Sequence, residues 1–146
     1  MVHHSEAENL KKGFTRFPAG TLLPTKFISW LGNNYFRRMG EYAAVIPEIS
    51  VENEYIIEHD PYVNVIHTPG HSEGSLSVIV EDEIALTGDT VFNIWGGTIF
   101  PPFANDKTKL LESWKTLLDS GCRLFLPGHG RIVSVEKLIR EYGRRS

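Results

Sequence analysis

Apolar and polar positions alternate along this chain in two rhythms. From residue 63 onward, short apolar runs stop abruptly at turn residues: 63–66 ends at Pro69-Gly70, 75–80 and 83–87 flank the acidic corner Glu81-Asp82, and 123–126 runs into Pro127-Gly128. Runs of that length between glycines and prolines predict strands, and the middle two predict a hairpin. Residues 49–57 alternate loosely and suggest a short strand or hairpin arm. Elsewhere the period is nearer 3.6. Residues 5–12 read as a short helix, with Ser5 and Glu8 in capping-box spacing and Gly13 closing it. From 25 to about 44, Phe27, Leu31, Tyr35 and Met39 recur every four residues, with Ile28 and Phe36 beside them. That pattern predicts an amphipathic helix weakened at Gly32-Asn33-Asn34, and its stripe reads as core ahead of a ligand-lining face. Trp30, Arg37 and Arg38 fall off the stripe and are weak candidates for contacting a ligand. Asp106 is placed to cap a helix with the apolar face Leu110, Leu111, Trp114, Leu117 and Leu118, and Ser134 to cap one in which Val135, Leu138, Ile139 and Tyr142 face inward. Residues 14–24 and 93–103 are rich in glycine and proline and read as loops, the aromatics of the second being placed to roof a pocket.

The strand predictions matter because of the residues at the strand ends. Three strands are each expected to end in a glycine and then a polar side chain: Gly70-His71, Gly88-Asp89 and Gly128-His129. Groups that must converge on one ion are well held at the ends of neighbouring strands, and imidazole with carboxylate is an N/O donor set suited to zinc and related divalent ions.

The stretches HTPGHSEGS, LTGDTVF and LPGHG, in that order, resemble the metallo-β-lactamase superfamily, in particular its glyoxalase II-like hydrolases. The resemblance implies an α/β (α+β) chain, a partial αββα sandwich consisting mainly of the C-terminal portion of that fold, with 1–146 as a single domain. It implies His71 as ligand of a first metal, Asp89 as the carboxylate bridging two metals and the catalytic residue, and His129 as ligand of the second. Zinc is the implied metal, two ions in the complete family site and at most one held weakly here; iron or manganese would accept the same donors. The implied substrate is a small ester or thioester. No H-x-H-x-D-H occurs in the chain, although that motif supplies the family's other four ligands, and the 93–103 loop lacks the Gly-Arg pair of glyoxalase II-like sequences. The expectation is an N-terminally truncated family member with an incomplete dinuclear site; the alternative is a non-catalytic relic or binding module that keeps the fold. A bare sheet edge and an uncovered apolar face are then expected, and with them a homo-oligomer or a strand-exchanged dimer. The remaining imidazoles have plainer readings. His3 and His4 are expected as the end of a strand that lacks its upstream partners and as a surface pair at a frayed end, His59 as a solvated turn residue, and His67 as support for a strand end.

Composition narrows the partners. A net charge of −3 and a pI near 6.1 give no electrostatic case for nucleic acid. The cations Arg140, Arg144 and Arg145 read as a solvated helix end. A single cysteine, Cys122, forms no internal disulfide and suits a reducing compartment. No apolar run approaches membrane-spanning length, so a cytoplasmic protein without a membrane partner is the expectation.

Overall fold

The computed structural model describes residues 1–146 apart from His59, Trp95, Gly96 and the side chain of Arg37. The expectations for His59, for Arg37 as a ligand contact and for the Trp95-Gly96 part of the aromatic loop lie outside the described residues. A six-stranded sheet runs in the order β3 (Glu54–Ile57), β4 (Val63–His67), β5 (Leu76–Val80), β6 (Ile84–Asn93), β7 (Leu124–Gly130), β8 (Val133–Ser134). All neighbours pair antiparallel except β6 and β7, which run parallel. The hairpin turns where the charges predicted it, with Glu81 and Asp82 both at φ 52°. β6 and β7 are longer than their apolar runs. Asp89 and His129 therefore sit inside extended chain rather than at strand tips, beside register shifts in the β6–β7 ladder. A bulged parallel pair tolerates glycine and proline that an ideal ladder would not.

One face of this sheet is covered by α3 (Lys107–Asp119) and α4 (Val135–Gly143). Ile66, Ile79, Ala85 and Phe125 pack there with Trp114, Leu117 and Leu138 in one buried cluster. Both helices start at the predicted caps: Asp106 accepts from the Thr108 and Lys109 amides, and Ser134 from the Lys137 amide. The inward face of α4 is corrected in one position. Ile139 is exposed, and Glu141 is buried instead, at 2% exposure. It is bonded to Arg144 at 2.6 Å and Arg145 at 2.8 Å. Burial alone would raise the Glu141 carboxyl; the hydrogen bond and charge of Arg145, then of Arg144, outweigh it and hold it below the usual range. Arg145 is accordingly not solvated tail. It also donates to Thr98 and lies over the Phe100 ring.

The opposite face is apolar and largely uncovered. Register places Tyr55, Val65, Val78, Leu86 and Leu126 in one row across the sheet, and Ile57, Val63, Val80, Ile84 and Leu124 in the next. Of these ten only Val65 is buried, and the edge strand β3 is exposed along its whole length. The expected bare edge and uncovered face are both present. Over one corner lies a second, two-stranded parallel sheet of β1 (Val2–His3) and β2 (Ser50–Val51). Residues 49–57 thus contribute a strand to each sheet.

The N-terminal helices depart from the sequence pattern. His3, not Ser5, caps a 3₁₀ turn, His4–Glu6, which continues into α1 (Ala7–Lys12) and ends at the left-handed Gly13. The long helix is α2 (Leu23–Tyr35), which begins earlier than expected, with Pro24 in its first turn, and is followed by a separate 3₁₀ turn, Arg37–Gly40. Its predicted core stripe faces outward: Phe27, Tyr35 and Met39 are 61%, 70% and 71% exposed, while Ser29 and Gly32 are the buried positions. A regular apolar period defines a face without defining what the face meets.

Candidate metal and catalytic site

The turn after β4 carries His71 and is pinned from below by a buried polar network. Thr68, Ser77 and Thr90 are wholly buried. The Thr68 and Ser77 hydroxyls share a hydrogen bond at 2.8 Å, and the Thr90 hydroxyl donates to the Thr68 carbonyl at 3.2 Å. From α3, Ser113 donates to the Pro69 carbonyl and Trp114 Nε1 to the Thr90 carbonyl, each at 2.7 Å. Buried hydroxyls are stabilising only when paired, and here the pairing ties the turn holding His71 to the residue next to Asp89. Gly70, at φ 132°, lies against the Leu110 backbone so closely that a side chain would collide. The turn is therefore built onto the first coils of α3.

The three predicted site residues are brought together. His71 Nδ1 lies 2.9 Å from the Phe103 carbonyl, and a carbonyl only accepts, so that nitrogen carries the proton. Its Nε2 faces Asp89 Oδ2 at 3.7 Å. On the other side, His129 Nδ1 meets Asp89 Oδ1 at 2.6 Å. The carboxylate thus stands between two imidazoles, one oxygen toward each. Gly128 makes room for it, because a Cβ there would come within 2.8 Å of Asp89 Oδ1.

The donor chemistry fits a divalent cation between His71 and Asp89. The back nitrogen of His71 is held by a carbonyl, as that of a metal-bound imidazole usually is. A lone pair on Nε2 then faces carboxylate lone pairs, which repel unless a proton or cation lies between. The 3.7 Å gap is about the ligand–ligand span expected for N and O donors at roughly 2.0–2.2 Å from one zinc ion. His129 is turned onto Asp89 instead. Among the described residues no group of three or more His, Cys, Asp and Glu side chains closes around a single point.

His3 corrects the frayed-end expectation. It is 3% exposed, donates from Nε2 to the Glu52 carbonyl at 2.8 Å, and accepts at Nδ1 from the Ser5 amide. Its ring stacks on His67 with centroids 3.7 Å apart, which joins the small sheet to β4. His67 supports the strand end, as expected, by bonding the Glu73 carbonyl. His4 is exposed. Sequence reasoning missed this latch and the Thr68–Ser77–Thr90 network. The one available signal was small hydroxyl residues at inward positions of otherwise apolar strands. Burial first, then the charge of His67, depress the His3 pKa below its ordinary 6.5; the Glu52 bond acts the other way. A histidine neutral in the fold and protonatable when unfolded stabilises fully above pH 6.5, and that contribution is lost as pH falls below 6.5 toward the folded value. Urea titrations at stepped pH should show stability falling below that point in the wild type, with a shallower fall in His3→Gln; identical slopes would contradict the assignment.

Strand order, the helix-covered face and the facing side chains of His71, Asp89 and His129, on the turn after β4, on β6 and on β7, define a metallo-β-lactamase-type chain. The Metallo-beta-lactamase superfamily model matches residues 4–129, and the chain belongs to that superfamily, whose members are generally metal-dependent, usually through zinc. A human relative named Acyl-coenzyme A thioesterase MBLAC2 is 30% identical over 145 residues, covering 95% of this chain and 51% of the relative. An Aspergillus fumigatus relative named Atrochrysone carboxyl ACP thioesterase is 31% identical over 86 residues, covering 57% of this chain and 26% of the relative. The solved structure of an archaeal metallo-beta-lactamase superfamily protein from Sulfolobus tokodaii superposes with a TM-score of 0.65 at 23% identity, over 98% of this chain and 56% of that one. That likeness shows the fold. The chain spans about half the length of the MBLAC2 relatives it matches.

Proposed function

We propose that this chain carries one half of the site of a metal-dependent thioester hydrolase, with His71, Asp89 and His129 as its metal donors and further donors supplied from outside the chain. The observation that carries the reading is the His71–Asp89 gap with its carbonyl-fixed imidazole. The names of the relatives support a thioester over other acyl substrates. When bound, the metal would lower the pKa of coordinated water and act as a Lewis acid toward an acyl carbonyl. The chain's own residues fix the donors. Phe103 holds the His71 tautomer so that Nε2 faces the site, and Asp89 offers an oxygen to each side. Asp89 also orients His129, whose Nδ1–H it accepts.

Zinc is the expected ion and a small thioester the expected substrate. The alternative, a binding module without activity, is supported by the absence of H-x-H-x-D-H and of a closed three-donor group among the described residues. The test is zinc content after dialysis against a weak chelator, with thioester turnover measured in parallel. The chain alone should hold less than one ion, reduced further by His71→Ala, Asp89→Ala or His129→Ala, and should not exceed free zinc in turnover. Adding a segment bearing H-x-H-x-D-H, fused or in trans, should generate turnover that Asp89→Ala lowers by about 100-fold or more. Two tightly held ions in the chain alone would refute the half-site; no turnover after complementation would favour the binding module.

A further inference from the structure

Helix α2 is turned inside out. Its inward side is small and polar: Ser29 donates to the Pro18 carbonyl at 2.7 Å, Asn33 exchanges hydrogen bonds with the Phe17 backbone at 3.0 and 3.1 Å, and Gly32 lies against the Phe17 ring. Its outward side carries Leu23, Phe27, Ile28, Trp30 and Tyr35, all exposed, with Leu23 at 83%. The rings form a ridge, Phe27 to Trp30 at 6.0 Å and Trp30 to Tyr35 at 5.6 Å between centroids. Phe36 and Met39 extend it beyond the helix end. Inward bonds fix the orientation, so the ridge is not a core face that has slipped.

Charge says what the ridge meets. From 9 to 40 the sequence holds six cations, Lys11, Lys12, Arg16, Lys26, Arg37 and Arg38, and no Asp or Glu. The whole chain is −3, so the remainder carries −9 (−3 − 6). Lys26 and Arg38 are exposed beside the ridge. A two-fold contact between copies through this face would set cations against cations, whereas an anionic partner is attracted. Trp, Tyr, Phe and Leu flanked by Lys and Arg are the side chains that settle at a lipid–water boundary, where rings sit at headgroup depth and cations reach anionic lipid. Exposed leucine and isoleucine have no comparable role on a nucleic acid.

We propose that α2 and the following 3₁₀ turn form a docking surface for an anionic phospholipid membrane, the helix lying flat with Phe27 and Trp30 inserted and Lys26 and Arg38 at the headgroups. The described residues include no helix long and apolar enough to cross a membrane, and a helix lying in the interface needs none. The surface is independent of the proposed hydrolase reading. It is tested by flotation of the full chain with phosphatidylcholine vesicles and with vesicles that also contain phosphatidylserine. Binding is expected on the phosphatidylserine vesicles and should weaken with salt. Lys26→Ala with Arg38→Ala should lower it about tenfold or more. Phe27→Ser with Trp30→Ser should abolish it, while Leu86→Ser, on the open sheet face, should leave it unchanged. All but Leu86 are surface positions of one helix region, so circular dichroism should show the fold intact. The proposal is overturned by no flotation on either vesicle, by binding that survives Phe27→Ser with Trp30→Ser, or by a dimer in lipid-free buffer that those substitutions dissolve.

Discussion

Trp114→Ala should be among the most damaging single substitutions in this chain, costing about 3–5 kcal/mol from lost burial and the cavity left behind. Trp114 is fully buried in the main core cluster, edge-on to Phe100 at 5.7 Å between centroids. Its indole N–H also satisfies the Thr90 carbonyl. Leaving that buried acceptor unpaired adds about 1–3 kcal/mol. Total stabilities of small domains are about 5–15 kcal/mol, so the variant should sit near its unfolding threshold. Because Thr90 adjoins Asp89 and bonds the turn before His71, the loss should reach the site: zinc retention should fall although no donor is touched. Urea denaturation checks the first part, with Trp114→Phe recovering much of the burial but not the hydrogen bond. A cost below about 1 kcal/mol, the scale of an average substitution, would contradict the packing argument.

The second large effect concerns assembly of the isolated chain. Two rows of five apolar side chains cross the open sheet face, and the fully exposed β3 offers an unpaired edge beside them. Contiguous apolar surface of that kind is rarely left in water, and an open edge pairs readily. Light scattering coupled to size exclusion should find the chain as a dimer or larger species. Leu86→Asp with Leu124→Asp, both central and more than 40% exposed, should weaken association by roughly tenfold or more each. A monomer across a wide concentration range would remove the proposal. The α2 ridge is a different surface, and its substitutions should leave this association alone.

Short-range chemistry carried much of the fold. The caps Asp106 and Ser134, the Glu81-Asp82 corner and the stop at Gly13 depend on neighbours within a few residues, and each appears where the sequence put it. The order and turn residues around His71, Asp89 and His129 were enough to expect these three side chains near one another and to indicate the superfamily. Which way an amphipathic face points is a different kind of question. The α2 stripe reads as core by period alone, and only the bonds of Ser29 and Asn33 to the 17–18 backbone reverse it. His3 at a chain end reads as frayed until the Glu52 carbonyl and the His67 ring, distant in sequence, close around it. Ile139 and Glu141 exchange expected places because two arginines one turn further on neutralise a buried carboxylate. Sequence by itself determined most of the strands and helices, the caps of the last two helices and the family, since these rest on local conformational preference and on residue identity. Only the tertiary structure decided which apolar faces are covered, how His71, Asp89 and His129 are held and which histidine is buried, because those depend on partners far apart in sequence, from Ser29 with Pro18 to His3 with His67.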